Sequence, residues 1–230
     1  MLIDLIRSQN TDLLTVIVYI LSTLMTIFLI LPLHECAHGF IAYKLGDDTA
    51  KREGRLTLNP LAHIDYLGAL LMLLIGFGWA KPVPVNPRYF KNPKKGMALT
   101  ALAGPVSNLL ASIAAGLIKN LLVFVCYKCD WSTDGVMMYV FAFFNFLMIM
   151  NIGLAVFNFI PVPPLDGSKI LMAFLPDKAI FWLNQRTQML SIGLFVLIMM
   201  GGLNGILSVI NTFFYQLINW LTFLPFSWAV

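Results

Sequence analysis

Charge is what this sequence has least of. Only 11% of its 230 residues are Asp, Glu, Lys or Arg, against about 25% in an ordinary soluble domain. That scarcity excludes a water-soluble fold. Hydrophobic residues make up 59% of the chain and the mean hydropathy is +0.82, more apolar surface than an interior of this size can hide. The bilayer is the expected solvent. Cysteine is scarce too. Cys126 and Cys129 form a CxxC, but Cys36 is the only other thiol, so no second pair completes a four-cysteine zinc site. The pair could form a disulfide or be two ordinary cysteines at a helix end. Glutamate occurs only at Glu35 and Glu53, and histidine only at His34, His38 and His63. No repeat, low-complexity linker or appended soluble domain is visible. One membrane domain over 1–230 is expected, with a core over about 12–175 and a C-terminal helical hairpin over about 189–224.

What is present is a series of long apolar runs separated by basic stretches. Residues 13–33 read as a spanning helix that continues to about 43 and stops at Gly46. The run is too long for a secretory signal and leads into His34 without a cleavage site. Residues 66–79 are apolar but short, hence re-entrant or buried. Pro82, Pro84 and Pro87 exclude a helix over 80–95 and favour an extended, edge-like segment. Further apolar runs cover 97–126, interrupted at Gly104-Pro105, then 136–160, 189–203 and 205–224. Pro163-Pro164 should hold the chain extended up to Asp166. The fold class is therefore an all-α polytopic membrane protein. It has about five to six transmembrane or re-entrant helical segments, with a short Pro-rich extended segment.

The net charge of +4 does not indicate nucleic acid. Twelve of the fifteen Lys and Arg fall in three stretches between apolar segments, at 44–55, 81–95 and 169–186. The bias of basic residues to cytoplasmic loops explains them. It places the chain in the cell membrane with its N-terminus outside, and puts His34 and Asp166 towards the cytoplasmic ends of inward-running helices.

His34-Glu35-Cys36-Ala37-His38 is an HExxH. Residues four apart share one face of a helix, so two imidazoles can bind one zinc ion. Glu35 lies about 100° around the helix from His34. From there it can take a proton from a water that zinc acidifies to a pKa of about 7. An intramembrane carboxylate costs about 2.5–3.5 kcal/mol on insertion scales, and a divalent cation compensates. A bland alternative is a set of hydrogen-bonded polar residues in a bundle. Hydrolytic zinc needs a third protein ligand. Asp47 and Asp48 follow the helix stop in a charged loop, where solvation is the simple reading. Asp130 and Asp134 fall at the opposite face, and Asp177 reads as a solvated helix start. Asp166, at the end of an apolar span on the side of His34, is favoured over His63 by position. Spacing alone does not settle the choice.

HECAH at 34–38 and LDG at 165–167, preceded by Asn158-Phe159-Ile160-Pro161, resemble the site-2 protease family of intramembrane zinc metalloproteases. GRLTLNPLAHID at 54–65, GWAKPVPVNP at 78–87 and LAGPVSN at 102–108 are similar to its compact bacterial branch, without PDZ or CBS domains. The resemblance runs from about residue 30 to 170, and the segments keep its order. It implies one zinc per chain, bound by His34, His38 and Asp166, with Glu35 as general base. It also implies that Asn158 faces the site and helps hold the substrate carbonyl or oxyanion. The Pro-rich segment would be the element near the site that could pair with an unwound substrate. Substrates would be membrane proteins or peptides with a transmembrane helix. His63 reads as structural. Membrane peptidases that use a downstream Glu ligand are disfavoured, since no Glu lies beyond Glu53. The rival from another class is a transporter or scaffold with a non-catalytic metal site.

Overall fold

The computed structural model describes Leu2 and residues 11–227. Among the described residues, four helices are long and apolar enough to cross a bilayer, and two shorter apolar helices accompany them. This is the all-α polytopic architecture expected. The first span, α1 (Leu13–Lys44), has 32 residues. At about 1.5 Å per residue it exceeds the roughly 30 Å hydrocarbon core, so its last turns, which carry the HExxH, reach towards one membrane face. Its polar residues satisfy themselves. Ser22, Thr23 and Thr26 donate to the carbonyls of Val18, Tyr19 and Ser22. A π-helical stretch, Thr26–Ile30, ends one turn before the motif, and nothing in the apolar pattern signals it.

A four-residue helix, α2 (Thr49–Arg52), follows. The short α3 (Tyr66–Ile75) is capped by Asp65, whose carboxylate accepts from the Gly68 N–H. The next span is α4 (Pro93–Lys128), then α5 (Val136–Asn158). Short α6 (Asp166–Met172) and α7 (Asp177–Gln185) lead into α8 (Thr187–Met199) and the last span helix, α9 (Asn204–Phe223). The bundle interior lies between α4, α5 and α9, where Ala115, Met148, Ile152, Val156 and Ile218 form one buried cluster. Polar pairs fix α9 against it: Asn120 donates to Thr222, Lys119 to Asn219 and Tyr215 to Asn145. Small residues and interhelical hydrogen bonds are what hold helices together where lipid removes the hydrophobic drive. Outward-facing Leu13, Leu110, Ile192 and Val209 are mostly exposed, as a lipid-facing surface requires.

Four expectations need correction. The helix is not interrupted at Gly104-Pro105. α4 runs through both residues, with Pro105 in its interior. Proline frees a backbone carbonyl and crowds the preceding turn, but neighbouring helices compensate inside a bundle. Five residues before Pro105, next to the carbonyl of Ala101 that the proline frees, the Thr100 carbonyl accepts from His38 Nδ1 at 2.6 Å. Residues 161–165 are not extended. They form consecutive turns in which the Val162 N–H donates to Ile160 and the Leu165 N–H to Val162. The Pro163-Pro164 peptide bond there is cis.

Asp47 is not solvated. It is fully buried and accepts from the Asn86 N–H at 2.6 Å, the Thr49 N–H at 3.0 Å and the Thr49 hydroxyl. It thereby ties the end of α1 to the Pro-rich segment. That segment is extended over 80–86, with one antiparallel bridge between Ile64 and Ala80, but the expected exclusion of helix over 80–95 fails beyond it. Asn86 caps a 3-10 turn at Pro87–Tyr89 and Asn92 caps the start of α4 at Pro93, where a proline in the first turn lacks only an N–H that has no helical partner. The Lys81 N–H donates to the His63 carbonyl at 2.7 Å. The buried His63 ring meets the Thr57 carbonyl through Nε2 at 2.8 Å, the structural place expected of it. Cys126 is buried, Cys129 is exposed, and both are free thiols.

Asp47→Ala should leave two backbone N–H groups without their acceptor, at about 1–3 kcal/mol for each buried group. Thermal unfolding should drop measurably, and residues 80–90 should become the first site of limited proteolysis. Unchanged stability and cleavage pattern would show that the Asp47 tie does not matter.

Candidate metal centre

The site is built from two stretches far apart in the chain. Four residues apart on α1, His34 and His38 present imidazoles whose Nε2 atoms lie 3.0 Å apart, their rings nearly perpendicular at 87°. Asp166 is the first residue of α6. Its Oδ2 stands 3.3 Å from His34 Nε2 and 3.1 Å from His38 Nε2. All three residues are buried.

Two glycines make this convergence possible. A Cβ at Gly104 would lie 2.4 Å from His38 Nε2 and 2.5 Å from His34 Nε2, so α4 can back the imidazoles only without a side chain there. A Cβ at Gly167 would sit 2.3 Å from the Phe159 carbonyl. The start of α6 can therefore press against the end of α5 only with glycine, and that places Asp166. Reading Gly104-Pro105 as a helix break hid the first of these roles from the sequence.

A carbonyl only accepts, so the contact with Thr100 puts the His38 proton on Nδ1. Nε2 then turns a lone pair into the cluster. Two ring nitrogens and an anionic oxygen within about 3 Å of one another need a positive charge among them. Ligand atoms of tetrahedral zinc, at about 2.0–2.2 Å from the metal, are roughly 3.3 Å apart. The observed spacing fits, and among the described residues this is the one His/Cys/Asp/Glu group able to hold a metal ion.

The cluster opens into a cavity of about 480 Å³. Glu35 and Asn158 line it together with Phe77, Trp79, Pro82, Val83 and Phe195. Glu35 Oε2 accepts from the Val83 N–H at 2.9 Å, which sets the carboxylate against the Pro-rich segment. One N–H of the Asn158 amide returns to the Leu154 carbonyl at 2.9 Å. His63 does not line the cavity.

Membrane-length helices around a buried His-His-Asp cluster and a neighbouring glutamate describe a class, the polytopic membrane metalloprotease. The model for Peptidase family M50 matches residues 127–202. YwhC of Bacillus subtilis (strain 168) is 43% identical over 159 residues, 69% of this chain and 69% of that protein. Rip2 of Mycolicibacterium smegmatis is 28% identical over 202 residues, covering 86% of this chain and 70% of the relative. Rip2 of Mycobacterium tuberculosis (strain H37Rv) is 29% identical over 197 residues, covering 83% and 69%. All three are named as candidate zinc metalloproteases. No solved structure matches the chain. The chain belongs to peptidase family M50, the site-2 proteases. It is a multi-pass membrane zinc metalloendopeptidase.

Gly104→Ala should push a methyl into both imidazoles. Overpacking of this kind costs about 1–3 kcal/mol, so zinc affinity measured by chelator competition should fall about 10- to 100-fold. Unchanged affinity would mean that α4 does not back the ligand pair.

Proposed function

We propose that this protein is an intramembrane endopeptidase that cuts membrane-protein substrates within or near the bilayer. The observation that carries the reading is the buried His34–His38–Asp166 cluster opening into the same apolar-walled cavity as Glu35. In this reading His34, His38 and Asp166 hold the zinc. The ion supplies the Lewis acid that polarises a carbonyl and makes water a nucleophile near neutral pH. Glu35 accepts the proton of the attacking water and delivers it to the leaving amine. The Val83 N–H holds one Glu35 oxygen, which keeps the base aimed into the cavity. The Asn158 amide has a second N–H beyond the one spent on Leu154, and that hydrogen can stabilise the oxyanion. Substrates are proteins or peptides with a transmembrane helix. The helix must unwind locally, because a helical peptide bond is shielded by its own hydrogen bonds.

The active site belongs on the cytoplasmic side of the cell membrane. The support is the concentration of Lys and Arg in the three stretches at that end. Glu35→Gln should keep about one zinc per chain and lose about 10²- to 10⁴-fold in cleavage of single-span substrates, whereas His34→Ala should lose the metal. Cleavage by Glu35→Gln at the wild-type rate would remove Glu35 as the base. Orientation is tested separately. Cys129 is the exposed thiol, and a membrane-impermeant maleimide should label it in intact cells but not in Cys129→Ser. Labelling only after permeabilisation would invert the topology.

A further inference from the structure

The two imidazoles are treated differently by the helix that backs them. His38 has its outer nitrogen fixed, with Nδ1 on the Thr100 carbonyl at 2.6 Å. His34 Nδ1 is buried and has no hydrogen-bond partner among the described residues. Histidines that bind a metal almost always donate their other N–H to an outer acceptor, which fixes tautomer and ring orientation. Two side chains that line the cavity share the deficit, Thr100 at its hydroxyl and Asn108 at its whole amide. Asn108 is fully buried, lines the active-site cavity, and has both Oδ1 and Nδ2 unpartnered among the described residues.

Position on α4 links Asn108 to His34. Thr100, Gly104 and Asn108 are spaced four apart and share one helix face. Thr100 meets His38, and Gly104 lies against both imidazoles. Rising numbers on α4 therefore meet falling numbers on α1, and the next turn brings Asn108 to the His34 side. A helical side chain leans towards the N-terminus of its own helix, which tips the Asn108 amide back towards Gly104 and the imidazole above it. A buried asparagine with both ends unpaired is costly unless it serves such a partner.

We infer that Asn108 is the positioning residue for His34: its Oδ1 takes the His34 Nδ1–H, directly or through one bridging water, and so turns Nε2 to the metal. The inference rests on the reading of His34 as a zinc ligand. Thr100 and Asn108 then act as a matched pair, one through its backbone and one through its side chain, and a single face of α4 orients both histidines.

The test uses the full-length protein in detergent, with zinc affinity from chelator competition and the absorption spectrum of the cobalt(II)-substituted form. Asn108→Leu removes the acceptor at similar volume. It should weaken zinc binding about 10- to 100-fold and shift the cobalt bands. Asn108→Asp keeps an acceptor in place and should restore both to near wild type. Should Asn108→Leu fail to fold, Asn108→Ala carries the same expectation. A structural role alone would lower the unfolding temperature of the metal-free protein and leave the cobalt spectrum unmoved, which overturns the proposal. Wild-type zinc affinity in the Leu and Ala variants, with His34→Ala metal-free, overturns it while sparing the metal-site reading. A wild-type protein that binds no zinc overturns both.

Discussion

Two imidazoles and a carboxylate are brought together, buried, at about hydrogen-bond distance from one another, and the rest of the structure is arranged to permit it. Each group is expensive to desolvate without a partner, and the three together repel unless a cation joins them. The requirement reaches well beyond the three residues. It demands a helix without a side chain at Gly104, so that α4 can stand behind the rings. It demands the close contact at Gly167, which swings the start of α6 under the end of α5. The length of α1 serves the same end, carrying the histidines past the apolar middle of the bundle to a level where the loops can close over them.

The surroundings divide into a stiff side and an adaptable one. On the stiff side, α4, α5 and α9 pack through small residues and interhelical hydrogen bonds around Met148 and Ile152. On the other side, the cavity wall is made by Phe77, Trp79 and the Pro-rich segment, with α8 contributing Leu194 and Phe195. The Pro-rich segment on that side is tied to the rest of the chain by hydrogen bonds to Asp47, His63 and Glu35.

Much of this was legible in the sequence. The spans follow from apolar runs of sufficient length, and the pair at 34 and 38 from helical spacing. Asp166 stood out by elimination among few acids, helped by resemblance. What stayed hidden has a common cause, since it depends on what lies across from a residue rather than beside it. Asp47 sits in a charged loop and reads as solvated until Asn86 is found against it. Gly104-Pro105 reads as a break because proline is a breaker in isolation, whereas the pair sits inside a helix whose glycine is needed by two histidines from another helix. The turns at 161–165 escape for a related reason, because proline-rich runs look extended when their backbone partners are unknown.

The Pro-rich segment shows how base and substrate edge are coupled. In an extended chain alternate residues point their backbone groups to the same side. Lys81 and Val83 use their N–H groups inward, on His63 and Glu35. Pro82 and Pro84 have none to offer outward. The two prolines therefore present no donors, and the Lys81 and Pro82 carbonyls already accept from the Arg55 guanidinium at 2.8 and 3.2 Å. That protects the outer edge from indiscriminate strand pairing, as prolines do at natural sheet edges. A peptide laid along this edge would have to supply the N–H groups, which a helix can do only after it unwinds. On the inner side the Val83 N–H holds a Glu35 oxygen, so the place of that carboxylate and the place of the outer edge both depend on one short extended segment.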